Sequence, residues 1–189
     1  GRPLTTAIRD IHAKPIVIPF DQINASSGHL YQAATLTPGT PCYTDRPYLI
    51  TKVPTELDGL TFLQTSCNDA DATSGVAVTL NLKYPSTVYL IDDARAENLP
   101  TWARKKWKPT SLHLKGDDPR LMKVFTADFS AGPLTLGSNR DGIEARKGNY
   151  LIAVRPTLLT ANSEVASSSS ILSLLPGANP DRGRDLFMS

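Results

Sequence analysis

Between residues 30 and 154 the apolar positions recur in short runs, and most of them carry the period of a strand, not of a helix. In Val76-Ala77-Val78-Thr79-Leu80-Asn81-Leu82 and in Lys123-Val124-Phe125-Thr126-Ala127-Asp128-Phe129, apolar side chains alternate with polar or small ones. Such a segment lays one face on a core and the other in water. Thr87-Val88-Tyr89-Leu90-Ile91 is a nearly continuous β-branched and aromatic run, which predicts a central strand buried on both faces. Shorter strand candidates lie at 49–53, 60–65, 134–136 and 150–154. Turn chemistry separates them: Pro38-Gly39, Pro54, Asp58-Gly59, Pro85-Ser86, Gly132-Pro133 and Asp141-Gly142. A single helix-like stretch, 99–107, has Pro100 near its start and is crowded with charge. Short strands punctuated this often predict an all-β fold, an antiparallel β-sandwich of jelly-roll-like type.

The ends read differently. In residues 1–29, Pro15 and Pro19 bracket Ile16-Val17-Ile18, which suits an edge strand or an extended N-terminal arm. Beyond Pro156 the composition shifts to a serine-containing linker that includes residues 167–170, then to a segment where Asn179 or Asp181 is placed to cap a short helix. The expected organisation is an arm over 1–29, a sandwich over 30–156, and a linker and tail over 157–189. The sequence starts at Gly1 with neither an initiator Met nor an apolar leader, as a processed chain would.

Composition removes several classes of function. The 189 residues carry 20 Lys+Arg against 18 Asp+Glu, a net charge of +2, which is no general footprint for nucleic acid. No apolar run reaches the ~18 residues that span a bilayer. Phosphate-binding glycine loops and the GxSxG nucleophile motif are absent, and Ser130 stands in no such motif. His12, His29 and His113 are scattered and read as surface or turn residues. Cys42 and Cys67 belong to no CxxC pair. They are expected to form a disulfide in an oxidising compartment, worth about 3.5 kcal/mol of loop entropy, the alternative being two buried thiols.

Three groups carry candidate chemistry. Asp92-Asp93, with Glu97, offers carboxylates for glycoside hydrolysis or for Ca²⁺. Neighbouring residues of a strand point to opposite faces, however, so turn hydrogen bonds and pairing with Arg95 or Arg46 are the expected role. Asn68-Asp69-Ala70-Asp71 places oxygens at alternating positions. Asp69 and Asp71 are candidate Ca²⁺ ligands together with Asp92 and Asp93, although a solvated turn accounts for them better. Trp102 and Trp107, with Arg104, Lys105, Lys106 and Lys108, form the one local basic and aromatic cluster. It is suited to stacking on a sugar or gripping an anionic polysaccharide, or else to plugging the sandwich with an indole.

Two resemblances add to this reading. Tyr43-Thr44-Asp45-Arg46-Pro47-Tyr48, Val53-Pro54-Thr55-Glu56-Leu57-Asp58-Gly59 and Gln64-Thr65-Ser66-Cys67-Asn68-Asp69 are followed by Val88-Tyr89-Leu90-Ile91-Asp92-Asp93-Ala94-Arg95, Leu99-Pro100-Thr101-Trp102 and Phe129-Ser130-Ala131-Gly132-Pro133-Leu134-Thr135-Leu136-Gly137-Ser138-Asn139. In that order they resemble a β-sandwich accessory module of large secreted bacterial proteins that carry carbohydrate-active or haem domains. Asp181-Arg182-Gly183-Arg184-Asp185-Leu186-Phe187 is similar to the opening helix of a class I cytochrome c domain, so haem c is implied only if a CxxCH segment follows Ser189. The resemblance implies no catalytic residues and no cofactor within the chain. The function expected is that of a non-catalytic extracellular, cell-surface or periplasmic module. Its role is structural, through protein subunits or neighbouring domains held by residues 1–28 and 157–189, or it binds polysaccharide. A glycan-cleaving enzyme using Asp92 or Glu97 ranks behind both.

Overall fold

The computed structural model describes residues 18–73, 75, 78–96, 98–117, 121–142 and 148–157. The chain divides after Thr157 into two units, and only the first lies within the described residues. The serine run and the cytochrome-like tail are therefore outside them, as are residues 1–17.

The described residues are almost entirely β, in ten strands: β1 (Phe20–Ala25), β2 (Gln32–Thr35), β3 (Ile50–Lys52), β4 (Thr61–Gln64), β5 (Val78–Leu82), β6 (Ser86–Asp93), β7 (Lys108–Gly116), β8 (Leu121–Phe129), β9 (Gly132–Leu136) and β10 (Leu151–Pro156). All strand pairings are antiparallel, in a three-stranded sheet ordered β1-β5-β9 and a seven-stranded sheet ordered β2-β4-β10-β6-β8-β7-β3. This is the sandwich that the alternating pattern predicts.

The larger sheet is buried on both faces along its middle. Val88 and Leu90 of β6, with Ile152 and Val154 of β10, join Val78, Leu80 and Leu82 of β5 and Leu134 and Leu136 of β9 in one core. Tyr89, Ile91, Leu151 and Ala153 point the other way, into a second core closed by Leu36, Ile50 and Leu57 from the loops and β3. Burial on two sides explains why 87–91 reads as a continuous apolar run. Each such side chain contributes about 1.5–3 kcal/mol on leaving water.

The segment expected as an arm supplies a structural strand. Phe20 is buried and pairs opposite Leu82, so β1 is the edge of the smaller sheet, with a register shift at Asp21–Asn24 where Gln22 takes a positive φ of 51°. The sandwich thus begins ahead of residue 30. Pro133 sits on β9, at the opposite edge, where its missing N–H costs no ladder bond. The helix-like stretch forms consecutive turns over 101–106 instead of a helix, with Ala103 N–H donating to Pro100 O and Trp107 N–H to Ala103 O. Among the described residues no helix is long and apolar enough to cross a membrane.

Candidate functional site

The end of β6, the start of β7 and the 98–107 turns enclose a cleft of about 210 Å³. Its polar lining is Asp92, Asp93, Asn98, Arg104 and Lys123; its apolar lining is Leu99, Trp107, Pro109 and Phe125. Asp92 and Asp93 both reach it, against the strand alternation that would send them to opposite faces. The strand ends at Asp93, and a turn closed by Ala96 N–H on Asp93 O follows at once. The alternation does not continue past that point.

Within the cleft the charges are held at different strengths. Asp93 is gripped by Arg95, whose Nε donates to Oδ1 at 2.9 Å and whose Nη2 donates to Oδ2 at 2.6 Å. This is the turn pairing expected from sequence. Asp92 accepts the Asp93 N–H at 2.8 Å and stands across the ladder from Lys123. The Arg104 guanidinium donates to the Leu99 and Gly142 carbonyls, at 2.9 and 3.1 Å. Neutral carbonyls fix its position without cancelling its charge. Among the described residues, Lys123 makes no ion pair. The floor therefore offers a carboxylate acceptor beside two cations, bordered by ring edges: a lining able to bond several hydroxyls at once.

The tryptophans are not an exposed platform. Trp107 is 6% exposed, and its ring meets Trp102 edge-on at 6.3 Å and Phe129 at 5.6 Å. Trp102 is half-buried, donates from Nε1 to Ser138 O at 3.0 Å, and lies against Tyr150. A Cβ at Gly137 would collide with its indole. Both rings pack into the end of the sandwich, as the plugging alternative has it, and Trp107 also lines the cleft. Lys106 places its Nζ 3.5 Å from the centre of the Phe129 ring, whereas Lys105 is exposed.

The candidate Ca²⁺ ligands do not converge. Among the described residues no three metal-binding side chains form a group. Asp69 is 5% exposed and already accepts from Ser27 Oγ (2.7 Å), His29 Nδ1 (2.7 Å) and Tyr31 hydroxyl (2.8 Å). Asp71 is exposed and lies 3.5 Å from Arg140. Burial pushes the Tyr31 phenol well up, and its hydrogen bond to Asp69 and the neighbouring Tyr150 push the same way. Asn149 extends this knot by donating to the Tyr31 hydroxyl and to Ser66 O. Glu97 lies outside the described residues.

The two cysteines are thiols in the structure, Cys42 buried and Cys67 partly so, both against the second core. The expected bridge is not made. A parallel pairing of Tyr43 with Thr65 sets Cys42 level with Gln64, and Cys67 lies further along in the 3₁₀ turn Cys67–Asp69. Asp45 organises that turn. It accepts from Ser66 Oγ (2.7 Å), Cys67 N–H (2.7 Å) and Asn68 N–H (2.9 Å). Burial pushes its carboxyl up, but those bonds and the nearby Arg46 outweigh burial and hold it below the usual carboxylate range.

Asn98, Leu99, Pro109, Lys123 and Phe125 carry no signal in the sequence that marks them as cleft residues. Alternation puts Lys123 and Phe125 on one strand face, but their position beside Asp92 depends on the register of β6 and β8.

No protein-family model and no curated protein matches the chain. Among solved structures it is similar to a β-glucuronidase from glycoside hydrolase family 2, at 18% identity and a TM-score of 0.64, covering 73% of this chain and 15% of that one. A second likeness is to a GH138 enzyme targeting pectin rhamnogalacturonan II, at 15% identity and a TM-score of 0.47, covering 70% of this chain and 16% of that one. The chain thus spans about one-sixth of the length of these proteins. The first likeness is one of fold, to a β domain of a glycoside hydrolase; the second is too remote to bear on it. Neither protein is a cytochrome.

Proposed function

We propose that this β-sandwich is a non-catalytic glycan-binding module and that the cleft at the end of β6 is its binding site. The observation that carries this is the lining itself: Asp92, Asn98, Arg104 and Lys123 facing one concavity bordered by Leu99, Trp107 and Phe125. Carboxylate, amide and cationic groups in one concavity can bond neighbouring hydroxyls, while apolar side chains cover the C–H face of a pyranose. The fold likeness to part of a glycoside hydrolase supports the same class of ligand. Catalysis is not assigned. Asp93 is committed to Arg95, which leaves Asp92 without a second carboxylate placed across the cleft among the described residues.

Placement in an extracellular or periplasmic assembly, with contacts through residues 1–28 and 157–189, belongs to the same proposal. The test is retention on immobilised oligosaccharides by the full chain and by Arg104→Ala and Asn98→Ala variants. The reading expects retention by the full chain and a loss in both variants with unchanged melting. Retention unaffected by either change removes the cleft as the site.

A further inference from the structure

The core that covers one face of the seven-stranded sheet stops short of its end. It draws on β4, β10, β6 and β8, and on nothing from β7 or β3. Beyond β8 the same face is exposed, and Lys52, His113 and Lys115 stand on it.

Lys123 of β8 is directly opposite His113 of β7, and Lys115, two residues along β7, is opposite Lys52 of β3, where a register shift between Ile50 and Lys52 breaks the alternation that would put Lys52 on the buried face with Ile50. Leu114, between His113 and Lys115, is buried in the other core, so the flanking side chains stand together on the open face. Lys52, His113 and Lys115 are exposed. Like charges directly opposite on neighbouring strands destabilise a sheet, and among the described residues neither Lys52 nor Lys115 forms an ion pair. Lys123 makes none among them either, whereas Arg46, Lys83, Arg95 and Arg140 are each matched to an aspartate. Arg104, Lys105, Lys106, Lys108 and Arg155 also lack a carboxylate among the described residues; what sets Lys52, Lys115 and Lys123 apart is that strand pairing lines them up on one open sheet face. Asp92 marks one end of the row and Asp117 follows its other end in sequence.

We infer that the row Lys52–Lys115–His113–Lys123 is the binding track of an acidic polysaccharide, entering the cleft at Lys123. The inference rests on the glycan reading of the cleft and adds the charge of the ligand. Lys52 and Lys115, and likewise His113 and Lys123, lie one strand apart, about 4.8 Å, while Lys115 and His113 are two residues apart along β7, about 7 Å; steps of this size suit an extended hexopyranose chain bearing one carboxylate per sugar. The row lacks a stacking aromatic, and the carboxylates of Asp92 and Asp93 stand where it enters the cleft. Both features favour a hydroxyl-rich polyanion over a nucleic acid.

The test uses the intact chain with three probes of matched length: an oligogalacturonate, a neutral cello-oligosaccharide and single-stranded DNA. Binding is measured by titration calorimetry at low and high salt. The inference expects tightest binding to the oligogalacturonate, weakened by salt, and a further loss of about tenfold in a Lys52→Gln, Lys115→Gln double variant whose melting is not lowered. Equal binding of the acidic and neutral sugars, insensitive to the double variant, overturns the inference and leaves the glycan reading standing. Binding of neither sugar overturns both. DNA bound more tightly than oligogalacturonate, with the same sensitivity to Lys52 and Lys115, overturns the choice of a glycan.

Discussion

Beside β4, around Asp45 and Asp69, the carboxylate oxygens are spent on the fold; around the β6 cleft and along β7, Arg104, Lys123, Lys115 and Lys52 carry charge that no carboxylate pairs with among the described residues. Asp69 holds Ser27, His29 and Tyr31, and Asp45 holds the 66–68 turn. Arg104 and Lys123, by contrast, face a concavity, and Lys52 and Lys115 face each other. A buried polar group with its bonds completed specifies a local structure. A charged group left uncompensated on a well-built sheet is available to a ligand. The difference separates carboxylates that look equally promising in sequence.

Asp69→Ala strands three donors, one of them the buried Tyr31 hydroxyl, and should cost about 3–5 kcal/mol; denaturant unfolding measures it, and a loss under about 1 kcal/mol would mean the knot is not structural. Trp107→Ala should cost a similar amount, about 3–5 kcal/mol, by opening a cavity against Phe129. A Trp107 variant that melts like the parent chain would contradict a packing role for that ring.

Asp45 gives a smaller effect with a pH signature. Its folded-state carboxyl is depressed, so the stability it contributes is complete above the unfolded value of about 3.9 and is lost as pH falls through the folded one. Asp45→Asn should lose about 1–2 kcal/mol at neutral pH and show a flatter decline below about pH 4. An acid profile parallel to the parent's contradicts the assignment. At the open end the sign reverses: Lys115→Glu, opposite Lys52, should stabilise by about 0.3 kcal/mol, read as a small rise in the denaturant midpoint.

How much of this is legible in sequence depends on range. Period-two alternation locates β5 and β8, and continuous apolar runs locate β6 and β10, because each pattern follows from burial on one face or on both. β7 escapes both: the strand is polar along most of its length, with Leu114 its one buried side chain, so its strand character comes from pairing with β8 and β3. β1 and β2 likewise owe their strand form to edge pairing. The tryptophans are visible in sequence, but not that their rings turn inward against Tyr150 and Phe129. Ser27, His29 and Tyr31, each two residues apart, share a spacing to which only the long-range approach of Asp69 gives meaning. The charged row across β3, β7 and β8 is a product of register, which no single segment contains.

The measurement that tests the account most directly is a heteronuclear NMR titration of the intact chain with oligogalacturonate. The account predicts shifts at Asn98, Arg104, the Trp107 indole and Lys123, extending to Lys115 and Lys52, with the Ser27–Tyr31 and Ser66–Asp69 signals unmoved. Shifts confined to the Asp69 end, or none at saturating sugar, would contradict it.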